Sequence, residues 1–253
     1  NLCEAAIELG INKIVYTSSS AVFGVPNKNP VTENAIPKPR EAYGLAKLES
    51  EKLFAKYVVQ GLNVSIIRPR TILGHGRMGI FQILFEWINK GINIPVLNDG
   101  KNTYQFVHAS DLANATISAS SLKNNETYNI GAANYGSMRE SLEALCKHAD
   151  TGSRVYSLPM RPIQVLMNIT SVLGFSPLAP YHSLMYGRSM YFDISKAQNE
   201  LGFSPKYSNI DMILESYDWY IRNRDIILNE NKDLSHHRSR LSEGVLKILK
   251  WIS

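Results

Sequence analysis

Residues 13–57 constrain the fold more than any other stretch of the chain. Ile14 to Thr17 is a short apolar run of β type that delivers three consecutive serines, Ser18, Ser19 and Ser20, at its carboxyl end. A polar, proline-rich loop follows. The segment from about Glu41 to Tyr57 is then rich in Ala, Leu, Glu and Lys and carries apolar residues at Leu45, Leu48, Leu53 and Phe54, the composition and spacing of a helix. On such a helix Tyr43 and Lys47 are four residues apart and share a face. A serine at a strand's carboxyl edge facing that pair is a constellation for taking a proton from a hydroxyl. An ammonium about 4 Å from a phenol stabilises the phenolate by roughly 4 kcal/mol at an effective dielectric near 20, which explains the choice of residue types. The spacing alone is weak, because a chain with 13 tyrosines meets Tyr-x-x-x-Lys about once by chance. The preceding strand and serine triplet give it weight.

The order of further motifs extends the pattern. VYTSSSAVFG is followed by YGLAK, whose tyrosine lies 24 residues after Ser19, then by IIRPRTILGHG, FVHASDLANA, YNIGAANYGSMRESLEAL and FDISKAQNELGFSPKY. In that order they resemble the extended short-chain dehydrogenase/reductases, the NAD-dependent epimerase/dehydratase family, over nearly everything from Asn1 to about Arg224. The resemblance implies an α/β fold: the C-terminal half of a Rossmann-type parallel sheet plus a smaller α/β substrate-binding lobe. It implies Tyr43 as acid/base, Lys47 as the group that tunes it and reaches a nicotinamide ribose, and Ser19 as the group that orients the reacting oxygen. Ser18, Pro69 and Thr71 are the further candidates for contact with NAD or NADP, and Ser20 for contact with substrate.

Read in order, NLCEAAIELG is the end of a helix stopping at Gly10. In the family such a helix precedes the serine-bearing strand, so the expectation is that the Gly-rich pyrophosphate turn and the residue selecting NAD or NADP belong upstream. Asn63 to Pro69 is β-branched and closed by proline, a strand. GHGRMG is read as a loop and not as a phosphate cradle. Ile80 to Asn89 is a helix with Ile80, Ile83, Leu84, Trp87 and Ile88 on one stripe. Tyr104 to His108 is a strand, after which Ser110 is expected to cap a helix containing Asp111; His108 is assigned to that turn and not to chemistry. Met138 to His148 and Asn209 to Leu228 are helices. Residues 1–74 and 104–130 are assigned mainly to the nucleotide domain, and 75–103 and 131–230 mainly to the substrate lobe. The largely apolar helix ending at Gly174, with Gln164, Asn168 and Ser171 on a polar stripe, is expected to be buried in that lobe or to cover a pocket. Residues 231–253 form a basic amphipathic tail with Leu241, Val245, Ile248, Leu249 and Ile252 on one stripe, suited to a membrane surface, a homodimer contact or docking on the chain itself.

Composition narrows the class. A net charge of +5 is modest and partly local, with five Lys or Arg against two acids from Lys232 onward, which is no nucleic-acid footprint. Two cysteines, Cys3 and Cys146, in helical contexts argue against a disulfide framework and for a reducing, cytoplasmic setting, peripheral to a membrane if the tail binds one. No metal ligands are assigned. Within the resembled family, 4,6-dehydratases carry Asp-Glu directly after the catalytic Ser/Thr; here Ser20 and Ala21 follow Ser19, which disfavours elimination of water. The arginines that hold a diphosphate in UDP-sugar epimerases align with Tyr104 and Ser183, so Arg77 or Arg188 would have to substitute. The leading expectation is therefore hydride transfer at a secondary alcohol or ketone. It includes an apolar substrate of the kind used by the 3β-hydroxysteroid dehydrogenase-like branch. The alternatives are a nucleotide-sugar epimerase with retained NAD and a non-catalytic, cofactor-binding scaffold.

Overall fold

A computed structural model of the chain describes residues 1–74, 76–78, 81–159, 185 and 187–229. The apolar helix ending at Gly174, with Gln164, Asn168 and Ser171, lies outside these residues, as do Ser183, Gly79, Ile80 and the tail from 230 onward.

Strands β1 (Lys13–Thr17), β2 (Asn63–Pro69) and β7 (Thr127–Ile130) form a parallel sheet in the order β1-β2-β7. Thr17 lies opposite Ile67, and Pro69 opposite Ile130, so the carboxyl ends of the three strands finish together. Alternation along the strands sends side chains to two different cores. Ile14, Tyr16, Val64 and Ile66 face α1 (Leu2–Glu8) and α2 (Ala42–Val58), where Cys3, Ala6 and Phe54 are buried. Val15, Ile67, Tyr128 and Ile130 face the opposite way, toward Ala115 and Ala119 of α4 (Ala109–Ser120) and Ala197 and Leu201 of α6 (Ser195–Leu201). A parallel sheet sheathed by helices on both faces is the Rossmann-type arrangement.

A second core gathers α3 (Phe81–Asn89), α5 (Met138–Ala149) and α7 (Asn209–Asn229) around the parallel pair of β4 (Ile94–Leu97) and β9 (Val155–Leu158). Trp87, Phe85 and Tyr220 are fully buried there. Of the stripe on α3, Ile83, Trp87 and Ile88 are buried in this core and Leu84 packs against it, as the spacing predicts. Two further short pairings are present: β3 (Thr71–Leu73) runs parallel to β6 (Phe106–His108), and β5 (Thr103–Tyr104) antiparallel to β8 (Gly136–Ser137). The FDISKA segment lies against the first sheet. Phe192, Ile194 and Phe203 pack with Ile67, Tyr128 and Ile130 of the first sheet, and Phe192 bridges to Val31.

One cap also differs from expectation. His108, and not Ser110, caps α4, its Nδ1 accepting from the Ser110 amide at 3.2 Å. An imidazole at this position serves because its other nitrogen is held by Glu215 at 2.9 Å and its ring stacks on Tyr207 at 3.7 Å. Asp111 secures the same turn by accepting from the Lys206 amide at 3.0 Å.

Candidate active site

The serines arrive at the carboxyl edge of the sheet because β1 ends at Thr17. Ser19 then adopts an extended conformation, and its hydroxyl caps a 3-10 turn (Ser20–Phe23) by accepting from the Ala21 amide at 3.1 Å. Helix α2 starts beside this turn. Its cap is Glu41, whose carboxylate accepts from the amides of Tyr43 at 2.7 Å and Gly44 at 2.6 Å, satisfying donors that a helix start leaves open. Gly44 is required at this point. A Cβ there would come within 2.5 Å of the Ala21 carbonyl oxygen, so only glycine lets the first turn of α2 lie against the serine turn.

Lys47, one turn further along α2, reaches back to the strand. Its Nζ donates to the Thr17 carbonyl at 2.8 Å and lies 5.8 Å from the Tyr43 ring centroid. Tyr43 is 53% exposed, open to a cavity of about 770 Å³ that Ser19 and Lys47 also line. Pro69 and Thr71, at the end of β2 and the start of β3, border the same cavity. The Thr71 hydroxyl pairs with that of Tyr104 at 2.9 Å, which brings Tyr104 to the wall. Arg77 enters from the loop after β3. Burial draws its guanidinium below its ordinary pKa, an effect the nearby Tyr43 opposes. Apolar side chains from the second core, among them Met78, Phe81, Leu84 and Leu142, close the far side.

Two of the residues singled out from sequence are placed differently. Ser18 borders the cavity, yet its hydroxyl turns inward and donates to the buried Glu51 at 2.5 Å. Arg188 lies next to the cavity-lining Gly187 but is not itself among the lining residues described. Ser20 accepts from Arg70 at 2.8 Å. Arg70 is a residue the sequence reading passes over: it is 1% exposed, borders the cavity and lies 4.6 Å from the Tyr104 ring centroid. The signal for it is a second arginine directly after Arg-Pro, where a strand end meets the cavity. Glu51 is likewise missed, although it continues the four-residue spacing of Tyr43 and Lys47 along α2.

Among the described residues, no group of three or more His, Cys, Asp or Glu side chains is placed to hold a metal, and no helix is long and apolar enough to cross a membrane.

A parallel sheet covered on both faces, with a serine, a tyrosine and a lysine gathered at its carboxyl edge, defines a Rossmann-type α/β protein with a candidate site at the strand ends. The family model for the NAD dependent epimerase/dehydratase family matches residues 1–131, and the chain belongs to that family. An uncharacterized protein, y4nG, of Sinorhizobium fredii is 53% identical over 252 residues, which span 99% of this chain and 63% of that protein. A UDP-glucose 4-epimerase of Lacticaseibacillus casei is 28% identical over 244 residues, 87% of this chain and 67% of that one. Among solved structures, a UDP-glucuronic acid 4-epimerase from Bacillus cereus in complex with NAD superposes with a TM-score of 0.68 at 24% identity, over 87% of this chain and 65% of that chain. The chain therefore spans about two thirds of the length of these relatives.

Proposed function

We propose that this chain carries the acid/base half of an NAD(P)-dependent site that transfers hydride at a secondary alcohol or ketone. The observation that carries the reading is the meeting of Ser19, Tyr43 and Lys47 at one cavity, with Lys47 fixed to the Thr17 carbonyl on the side facing Tyr43. The donor set suits a nicotinamide dinucleotide: an ammonium and a phenol near one another at the carboxyl ends of parallel strands, with Pro69 and Thr71 lining the same cavity. Lys47, Tyr43, Pro69 and Thr71 would hold the nicotinamide end. Such a cofactor, when bound, supplies the hydride donor and acceptor.

The chain's own part is proton transfer and orientation. Ser19 donates a hydrogen bond to the substrate oxygen, and Tyr43 takes the hydroxyl proton in one direction and returns it in the other. Lys47 stabilises the phenolate while Tyr43 lacks its proton. Ser20, Arg77 and Tyr104 are placed to contact the rest of the substrate. The apolar far wall and the tyrosine at position 104 favour an apolar alcohol or ketone. The epimerase reading is the second one, favoured by the family and by two cations, Arg70 and Arg77, at the cavity, either of which suits a phosphate or carboxylate. The test is a turnover screen of the full-length, cofactor-loaded protein against UDP-glucose, UDP-glucuronic acid and a 3β-hydroxysteroid. Oxidation of the steroid supports the first reading, and interconversion of a UDP-sugar the second. Absence of hydride transfer to any of them, with cofactor bound, counts against both and for a scaffold.

A further inference from the structure

Beneath the site lies a charged cluster that the proposed chemistry does not use. Glu51 and Arg68 are 6% and 8% exposed at their side chains, and they meet in a two-pronged pair: Arg68 Nε to Oε1 at 3.0 Å and Nη2 to Oε2 at 2.6 Å. The Ser18 hydroxyl donates to the same Oε1 at 2.5 Å. Arg68 is further seated over the Phe23 ring at 5.0 Å and donates to the Glu33 carbonyl at 3.3 Å. The strand end is thus tied to α2 twice at consecutive residues, Thr17 to Lys47 and Ser18 to Glu51. Tyr43, Lys47 and Glu51 are four and eight residues apart, so one face of α2 holds both ties and the proposed acid/base. Ser18 comes immediately before Ser19, whose hydroxyl and carbonyl start the 3-10 turn.

We infer that Ser18, through Glu51 and Arg68, is a positioning residue that sets the register of the Ser19 turn against Tyr43, and is not a cofactor ligand. The inference takes Ser19 as the substrate-orienting group, so it rests on the proposed function for its catalytic consequence but not for its structural one. The anchoring is one-sided. A charged, buried acceptor holds a neutral hydroxyl, so removing the hydroxyl loosens the turn, which then hangs on the Ser18 amide bonded to the Ile67 carbonyl at 2.7 Å, while Arg68 still neutralises Glu51. Ser18→Ala is therefore the informative change, since it leaves no charge unpaired.

The test measures hydrogen exchange, dinucleotide affinity and turnover in the full-length protein. In Ser18→Ala, the amides of residues 19–24 are expected to exchange roughly ten-fold faster or more, with those of α5 unchanged. NADH affinity, followed by its fluorescence, should stay within about two-fold, because the hydroxyl faces Glu51 and not the cavity. With whichever compound of the screen the wild type oxidises, kcat should fall about ten- to a hundred-fold with KM little changed, as expected for loss of orientation. Ser18→Thr, which keeps the hydroxyl, should recover most of it. Unchanged exchange in residues 19–24 overturns the inference, as does a Ser18→Ala protein that loses NADH affinity while its turn stays protected. The exchange measurement needs no catalysis, so a failure to find turnover would sink the proposed function and leave this result standing.

Discussion

Replacing Glu51 by Gln should destabilise the full-length protein severely, and the size follows from what the carboxylate touches. It accepts three hydrogen bonds, two of them from a guanidinium only 8% exposed. The amide removes the charge but leaves Arg68 in place, so the cost is that of stranding a buried cation, about 3–5 kcal/mol. For a protein of this size each kcal/mol moves Tm by about 2–4 °C, so the midpoint should fall by roughly 6–20 °C. The double variant Arg68→Met/Glu51→Leu replaces the whole pair with apolar volume and should recover most of that loss. Scanning calorimetry of the wild type, Glu51→Gln and the double variant tests the argument. A Glu51→Gln midpoint within 2 °C of wild type would refute it, and so would a double variant less stable than the single one.

Three further outcomes follow from other contacts. Gly44→Ala should cost about 1–3 kcal/mol in denaturant unfolding, because its methyl meets the Ala21 carbonyl at 2.5 Å, and it should lower turnover by moving Tyr43; unaltered stability would mean α2 starts elsewhere. Arg224, Lys90 and Tyr220 hold the Glu86 carboxyl down to about 2 from its ordinary 4.5, against the burial that alone would raise it. Its contribution to stability is therefore complete above about pH 4.5 and is lost as pH falls toward 2; Glu86→Gln should flatten that part of the urea-midpoint profile, and an unchanged slope would count against the network. Burial raises the Cys146 thiol to about 11, so it should react with a disulfide reagent only after unfolding, and rapid labelling of Cys146 in the native protein would contradict its position.

Where a feature is local, the sequence states it. The strand ending in serines, the tyrosine and lysine one turn apart and the proline closing β2 each follow from the periodicity or stereochemistry of a few neighbouring residues. The apolar stripe of α3 is equally legible, since a face that must be buried shows its period. Features that depend on what meets across the fold are not. Ser18 looks like a third site hydroxyl until Glu51, 33 residues on, is seen to accept from it. His108 displaces Ser110 as the cap of α4 because Glu215 and Tyr207, about a hundred residues away, fix the imidazole. The return of Phe192 to Phe203 to the first sheet is a matter of topology, and its apolar residues would suit either core. Arg70 shows the same limit, since an arginine after a strand carries no mark of being buried under Tyr104.

Tyr43 is the group proposed to move the proton, and one comparison tests that role. Full-length wild type and Tyr43→Phe, each loaded with NAD(H), would be followed through hydride transfer in a single turnover, with bound cofactor quantified in parallel. The account predicts that cofactor occupancy is retained while the rate falls by about 10²–10⁴-fold, the range that a positioned acid/base contributes. A Phe variant that transfers hydride at a near-wild-type rate with cofactor bound would contradict it.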